Sequence, residues 1–154
     1  MGKIADCLGV TPGTATTMVK NMESKGWVKY RPRKGVKLTT AGRKVGMNML
    51  RRHRLLETFL VETLGLDWGE IHEEAEVLEH AISEKVLEKL DEFLGRPSHD
   101  PHGDPIPTKR GGLPKASNRS LLDCKVGDLV RIESIQDQEK EFLQFARKNK
   151  LMPG

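Results

Sequence analysis

Two short helical segments open the pattern of apolar and polar positions along the chain. Residues 2–9 carry apolar side chains at one-turn spacing and end in a glycine, which predicts a short helix closed by a turn. Thr11 is a favourable N-cap for the next helix, and Pro12 suits its first position. Apolar residues at helical spacing then continue to a Lys-Gly stop, so the pattern predicts a helix, a tight turn and a second helix over residues 11–25.

A two-residue period replaces the helical period after Gly26. Val28 and Tyr30 share one face, and Val36 and Leu38 lie where a partner strand presents the same face. The basic loop 31–35 joins them, so the pattern predicts a β-hairpin with a basic tip. A helix-turn-helix followed by such a hairpin is the layout of a winged-helix DNA-binding domain.

The middle of the chain returns to the helical period. A long helix is predicted from about Ala41 to near Gly65, followed by helices at about 68–82 and 83–94. The stretch 95–119 is rich in proline, glycine, histidine and lysine and is predicted to be a loop or linker.

The last segment predicts one strand at 127–132 and one helix at 139–149. One strand cannot close a sheet, so this segment is either a fragment of a second domain or packs on the first. The fold class predicted for the chain is mainly α with a small β-hairpin, in which a winged helix-turn-helix precedes an all-helical domain.

Composition places the chain among soluble proteins with no transmembrane segment. Of the 154 residues 36% are hydrophobic and 31% charged, no apolar run approaches bilayer length, and the two cysteines have no metal or disulfide spacing. We therefore expect a cytoplasmic protein. Apolar side chains of the middle helices offer more surface than a small helical unit can bury alone, which predicts a homodimer: Leu55, Leu56, Phe59, Leu60, Leu64 and Trp68.

The net charge of +4 hides a strong segregation along the chain. Residues 1–40 hold eight Lys and Arg against two acids, whereas residues 61–94 hold two against eleven acids. The basic front predicts a polyanion partner, and the acidic middle predicts either bound cations or a solvated helix surface.

The second helix has an unusual outward-facing composition. Four threonines in one short helix lower its helix propensity, but short hydroxyls and a glycine allow close approach to DNA. An ordinary surface helix is the alternative, and the basic hairpin beside it favours DNA contact. The residues predicted to contact DNA are Thr11, Gly13, Thr14, Thr16, Thr17, Lys20, Arg31, Arg33 and Lys34.

A row of metal-ligand side chains lies in the acidic block. His72, Glu76, Glu79 and His80 stand at offsets of 0, 4, 7 and 8, so on a helix they span an arc of only about 100°. His53 and Glu57 form a second pair at i and i+4 on the preceding long helix. Imidazole with carboxylate and no thiolate suits Mn²⁺, Fe²⁺, Co²⁺, Ni²⁺ or Zn²⁺. A solvated acidic face is the alternative.

Two further patterns are weaker. The stretch from His72 to Glu76 resembles a zinc-peptidase helix motif in which glutamate replaces the second histidine, and it raises the alternative of a metallohydrolase. The loop also holds possible ligands for a metal, although a solvated loop is the simpler interpretation: His99, Asp100, His102 and Asp104.

Several motifs in order resemble the diphtheria toxin repressor family of metal-dependent transcriptional repressors. They are IADCLGVTPGTATTMVKNMESKGWV, RRHRLLE around His53, HEEAEVLEHAIS from His72 and HGDPIP from His102. The resemblance implies a winged helix in front, then helices for dimerisation and metal binding, and a homodimer that represses double-stranded DNA operators when loaded with metal. It implies neither an enzyme nor a small-molecule substrate.

The resemblance also implies a ligand set. His53, Glu76, Glu79 and His80 are the implied metal ligands, with Glu57 and His72 as ancillary ones. A carboxylate at position 76 favours Mn²⁺, with Fe²⁺ next. A dimer module with a disabled metal site is the alternative.

The domain boundaries implied are 1–42 for the winged helix, 43–107 for the helical domain, 108–120 for a linker and 121–154 for the start of a small β-barrel domain. Members of the family begin with a further helix that supplies ligands, so we expect this chain to be a fragment.

Overall fold

The computed structural model of the chain describes residues 1–114 and 119–154. This part contains six α-helices, one short 3₁₀ helix (Leu121–Asp123) and one antiparallel hairpin: α1 (Gly2–Cys7), α2 (Pro12–Ser24), β1 (Val28–Arg31), β2 (Gly35–Leu38), α3 (Thr40–Glu62), α4 (Ile71–Ala81), α5 (Glu84–Phe93) and α6 (Lys140–Lys148). The chain divides into two compact units, 1–47 and 48–154. The prediction of a mainly helical chain with one hairpin is confirmed. Part of the predicted linker, residues 115–118, lies outside the described residues.

The first unit is a helix-turn-helix followed by a hairpin. The side chain of Thr11 accepts a hydrogen bond from the backbone N–H of Thr14 at 3.1 Å, as its predicted N-cap role requires. Ala15 and Val19 form the buried stripe of α2. In the hairpin Tyr30 lies opposite Val36, which confirms the predicted pairing.

One glycine position fixes the start of α3. The hydroxyl of Thr39 donates to the carbonyl of Gly26 at 2.7 Å and accepts from the backbone N–H of Gly42 at 3.0 Å, so it caps the helix while it holds the preceding turn. A Cβ added at Gly42 would overlap the backbone carbonyl of Trp27. The close approach of these two backbones therefore requires glycine.

The second unit packs around the C-terminal half of α3. Three small clusters form its core: Leu56, Leu60, Ile71 and Ala75; Leu55, Leu87 and Ile106; and Trp68, Ile135, Leu143 and Ala146. Four of the side chains whose apolar surface predicted a dimer interface are instead buried within the chain itself: Leu55, Leu56, Leu60 and Trp68. The prediction that these four side chains leave apolar surface exposed is wrong, because α4, α5, the loop and α6 already cover them.

The last segment packs on the helical unit. Within the described residues no strand forms at 127–132, so that prediction is wrong. The apolar pattern there has no partner strand, and Val126 and Leu129 are fully exposed. The predicted final helix is confirmed as α6, whose Leu143 and Ala146 pack with Trp68. No helix in the described part is long and apolar enough to cross a membrane.

The glycines of α3 provide a matched test of the first unit. We expect Gly42→Ala to destabilise this unit by about 2 kcal/mol or more, because the added methyl group forces the Trp27 backbone away. Gly46→Ala, on the same helix with open space around it, should instead stabilise the chain by about 0.5–1 kcal/mol. Urea unfolding of both variants measures the difference. Equal stability of the two would contradict the assigned contact.

Candidate metal centre

His53 and Glu57 lie one turn apart on α3 and face α4. His53 Nε2 lies 3.0 Å from Glu57 Oε1, and the Glu57 side chain is only 2% exposed. From α4, His72 places its Nδ1 3.0 Å from His53 Nε2 and 3.4 Å from Glu57 Oε1. These three side chains, called the α3–α4 group below, bring two imidazole nitrogens and one carboxylate oxygen to a common point.

A second group forms where the loop after α5 returns to α3. Asp100 and His102 are buried, and each offers a ligand atom within 4.8 Å of the other and of Glu57. Asp100 Oδ1 accepts from the backbone N–H groups of His102 and Asp104, both at 2.9 Å, and this turn carries His102 inward. The set Glu57, Asp100 and His102 is called the loop group below. Both groups share Glu57.

The hydrogen bonds of His102 define its tautomer. Its Nε2 lies 2.9 Å from the backbone carbonyl of Trp68, which can only accept, so Nε2 carries the hydrogen. Its ring also stacks on the Trp68 indole at 5.5 Å. In the neutral ring Nδ1 is then a lone pair; it is buried without a hydrogen-bond partner among the described residues and lies 4.0 Å from Glu57 Oε2. A ring nitrogen and a carboxylate oxygen that face each other in the interior can share a cation as ligands, so this donor set fits a metal ion.

Charge balance shifts the pKa values of the α3–α4 group. Burial lowers the pKa of His53, but the hydrogen bonds and charges of Glu57 and Glu79 outweigh it, and the net pKa is raised. Burial raises the pKa of Glu57, but His53, His102 and His72 outweigh it, and the net pKa is lowered. The carboxylate of Glu57 is therefore ionised at neutral pH, as metal ligation requires.

Asp100 differs from Glu57. Burial raises the pKa of Asp100 to about 6, since the hydrogen bond from the backbone of Asp104 only partly offsets the loss of water and the charges of Glu57 and Asp104. Arg54 Nε lies 3.4 Å from Asp100 Oδ2, and Arg54 Nη2 lies 3.0 Å from Asp104 Oδ2. Arg54 thus holds the loop against α3.

The α3–α4 group opens to solvent through His72, whose side chain is 57% exposed. A cleft of about 650 Å³ beside it is lined by carboxylates of α4 and of the segment before α6, among them Glu73, Glu74 and Asp137. The walls of this cleft attract cations towards the buried Glu57.

The predicted row on α4 does not converge on one point. Glu76 lies 3.7 Å from His72 Nε2, and Glu79 lies 2.9 Å from His53 Nδ1. His80 is exposed and lies 3.6 Å from Glu79. Of the six predicted ligands, the structure brings His53, Glu57 and His72 into one group.

Asp100 and His102 received too little weight as possible metal ligands in the prediction from the sequence. Solvated side chains were the simpler interpretation of the loop, and for these two residues it is wrong, because both are buried against α3. His99 and Asp104 do not join the group: His99 bonds the hydroxyl of Ser98, and Asp104 pairs with Arg54. The usable signal was Asp-Pro-His-Gly-Asp, a turn sequence with a histidine at its centre.

The predicted DNA-contact residues lie on α2 and at the tip of the hairpin. The basic side chains Lys20, Arg31, Arg33 and Lys34 belong to exposed residues. The hydroxyls of Thr16 and Thr17 donate to the carbonyls of Pro12 and Gly13 at 2.7 and 3.2 Å. Those two threonines therefore retain acceptor lone pairs but no free donor for a phosphate.

A winged helix-turn-helix unit and a helical unit that holds buried histidines and carboxylates define a class, the winged-helix proteins with a metal centre. Residues 1–36 match the model of the iron-dependent repressor N-terminal DNA-binding domain, and residues 39–108 match that of the iron-dependent repressor metal-binding and dimerisation domain. The chain belongs to the iron-dependent repressor family, which includes the diphtheria toxin repressor.

Individual relatives agree with this assignment. The iron-dependent repressor IdeR of Mycobacterium leprae is 38% identical over 105 residues, which are 68% of this chain and 46% of the relative. The diphtheria toxin repressor of Corynebacterium glutamicum is 35% identical over 142 residues, or 89% of this chain and 62% of the relative. The chain thus spans about half to three fifths of these relatives.

A solved structure extends the likeness to the whole described fold. The structure of a manganese-dependent transcriptional repressor in complex with manganese has a TM-score of 0.88 and 40% identity, and the match covers 97% of this chain and 69% of that one. At 40% identity the two chains are similar in sequence as well as in fold.

The pKa shifts predict how metal affinity depends on pH. A metal must displace the proton of His53, whose pKa is raised, and Asp100 becomes neutral below about pH 6. Affinity for Mn²⁺ should therefore fall as pH decreases from about 8 to about 5, by about tenfold per pH unit for each proton displaced. Calorimetry in buffers of different ionisation enthalpy measures both the affinity for Mn²⁺ and the number of protons displaced. A constant affinity over this range would contradict the assigned ligands.

Proposed function

We propose that this chain is the DNA-binding and metal-binding part of a transcriptional repressor that acts as a homodimer on double-stranded operators and responds to Mn²⁺ or Fe²⁺. The single observation that carries the proposal is Glu57. This buried carboxylate is shared by two groups of metal ligands, within a chain of the iron-dependent repressor family. A metallohydrolase is not proposed, because the family consists of repressors.

The proposed centre has two parts. His53, Glu57, His72, Asp100 and His102 would hold metal on the α3 side of the helical unit. A further set on α4, Glu76, Glu79 and His80, would serve as outer ligands, as the family resemblance implies. Nitrogen and oxygen donors without thiolate favour Mn²⁺, with Fe²⁺ next.

The side chains of the centre come from separate elements. When bound, a divalent cation would supply the positive charge that offsets repulsion among the carboxylates. Glu57 connects α3 to α4 through His72 and to the loop through His102. Ligation would hold these three elements together, which is how metal loading would stabilise one conformation of the helical unit.

In the DNA-binding unit we assign separate roles to the helix and the hairpin. α2 presents small side chains to the major groove: Thr11, Gly13, Thr14, Thr16 and Thr17. Four cations, Lys20, Arg31, Arg33 and Lys34, would neutralise phosphates. Since the hydroxyls of Thr16 and Thr17 bond within the helix, contact through their methyl groups is favoured over phosphate binding.

The finer organisation also belongs to this proposal. We assign residues 1–42 to the winged helix, 43–107 to the helical domain, 108–120 to a linker and 121–154 to the start of a small β-barrel domain, on the strength of the tail resemblance. A repressor acts where its DNA lies, which supports the predicted cytoplasmic location.

Mn²⁺ titration tests the shared ligand. We expect Glu57→Gln to weaken Mn²⁺ binding at least 100-fold, because the amide lacks the charge that both groups require. Glu62→Gln, the same change at the exposed end of α3, should leave the affinity within about twofold. Calorimetry on the full chain gives both values.

The same titration separates the alternatives. If the wild-type chain binds no Mn²⁺ and no Fe²⁺, the chain is a dimer module with a disabled site. If Glu57→Gln binds as tightly as wild type, the ligands have been assigned wrongly.

DNA binding should depend on salt and on the basic hairpin. Arg33→Ala should weaken binding to all duplexes alike and reduce the slope of log K against log salt by about 0.9, the release expected for one phosphate contact. Lys85→Ala removes one exposed charge from α5 and should leave the slope unchanged. Fluorescence anisotropy with duplexes of unrelated sequence, in the presence of Mn²⁺, measures the slopes. Equal slopes for the two variants would contradict a role for the hairpin.

A further inference from the structure

His53 binds a partner through each of its ring nitrogens. On one side Nε2 faces Glu57 and His72, both at 3.0 Å. On the other side Nδ1 lies 2.9 Å from Glu79 Oε2. The side chains of His53 and Glu79 are only 14% and 13% exposed, so water competes little for this second bond.

The chemistry of imidazole gives the two bonds different roles. If Nε2 ligates a metal, the remaining proton lies on Nδ1 and is donated to Glu79. A carboxylate in this position fixes the orientation and tautomer of a ligating histidine and raises its basicity.

Glu79 is itself held at a fixed distance from α3. Its backbone carbonyl accepts from Arg52 Nη1 at 3.2 Å, and the same nitrogen donates to the carbonyl of Ile82 at 2.6 Å. Arg52 also pairs with Glu84. The residue beside His53 on α3 thus holds the C-terminal end of α4, and the Glu79 carboxylate is presented to His53 by a braced backbone.

We propose that Glu79 is a positioning residue for His53 and acts on the α3–α4 group through the hydrogen bond to Nδ1. Its two carboxylate oxygens serve different neighbours: Oε2 faces His53, and Oε1 faces His80 Nε2 at 3.6 Å. Glu79 therefore joins the buried centre to the outer row on α4. This inference rests on the proposed function in that it requires His53 to be a metal ligand.

The test must isolate the buried centre from the outer row. The full chain carrying Glu76→Ala and His80→Ala retains the α3–α4 and loop groups but loses the other two outer ligands. In this background Glu79→Ala removes the hydrogen bond, whereas Glu79→Gln keeps an acceptor oxygen and removes the charge. Glu62→Ala, which removes an exposed carboxylate at the end of α3, is the matched control.

Calorimetry with Mn²⁺ separates positioning from ligation and from charge. We expect Glu79→Ala to lower the affinity of the background chain about 10- to 100-fold, and Glu79→Gln to restore it to within about fivefold. Glu62→Ala should change the affinity less than about twofold. No effect of Glu79→Ala would overturn the proposal and leave Glu79 an outer ligand only. Equal losses in both Glu79 variants would also overturn it, because charge alone would then explain them.

A second readout does not depend on metal binding. Long-range ¹H–¹⁵N spectra at about pH 9, where histidine is neutral, report which nitrogen of His53 is protonated. We expect the Nδ1–H form in the wild type and in Glu79→Gln, and a mixture in Glu79→Ala. If no variant binds Mn²⁺ but the tautomer of His53 still changes in Glu79→Ala, the proposed function is wrong and the positioning role of Glu79 is supported. If His53 has the same tautomer in the wild type and in both Glu79 variants, the positioning role is wrong.

Discussion

The helical unit depends on one buried carboxylate. A carboxylate that is nearly free of water, as Glu57 is, costs several kcal/mol unless it is paired and hydrogen-bonded. Glu57 finds its partners on three different elements: His53 on its own helix, His72 on α4 and His102 in the loop. Each contact adds a directional restraint to elements that the apolar clusters also hold against α3. The need to satisfy one charge thus determines where α4 and the loop lie against α3.

The loop carries this constraint further along the chain. Asp100 holds the turn that buries His102, and Arg54 holds Asp100. The carbonyl of His102 then accepts from the backbone N–H of Ile135 at 2.9 Å, and Gly103 has no room for a Cβ beside the backbone of Glu133. The segment before α6 therefore contacts the same turn that presents His102 to Glu57. The turn beside Glu57 and the segment before α6 thus hold each other in place through backbone contacts.

Local patterns were enough for the elements but not for the centre. Period and capping residues define both front helices and the hairpin, because Thr11 and the alternation at Val28 act within a few residues. The pairing of Glu57 with His102 spans 45 positions and joins a helix to a loop that has no period, so no spacing rule reaches it. The strand expected at 127–132 failed for the opposite reason: its alternation is real, but a strand also needs a partner. Burial of Leu55 likewise depends on α5 and the loop, and burial of Trp68 depends on α6, and no local pattern ties these elements to α3.

The charges around Glu57 are the physical basis of the proposed divalent-cation centre. Among the described residues Asp100 and Asp104 pair with Arg54, whereas the ion-pair partners of Glu57 and Glu79 are histidines, so negative charge is in excess around Glu57 when the histidines are neutral. Protonation of His53 offsets part of this excess, and the raised pKa of His53 records it. That proton lies in the α3–α4 group, whereas His102 Nδ1 faces Glu57 Oε2 from the other side at 4.0 Å and has no hydrogen-bond partner among the described residues. A cation with two charges and open coordination positions can satisfy donors on both sides of Glu57, which a single proton on one ring cannot do.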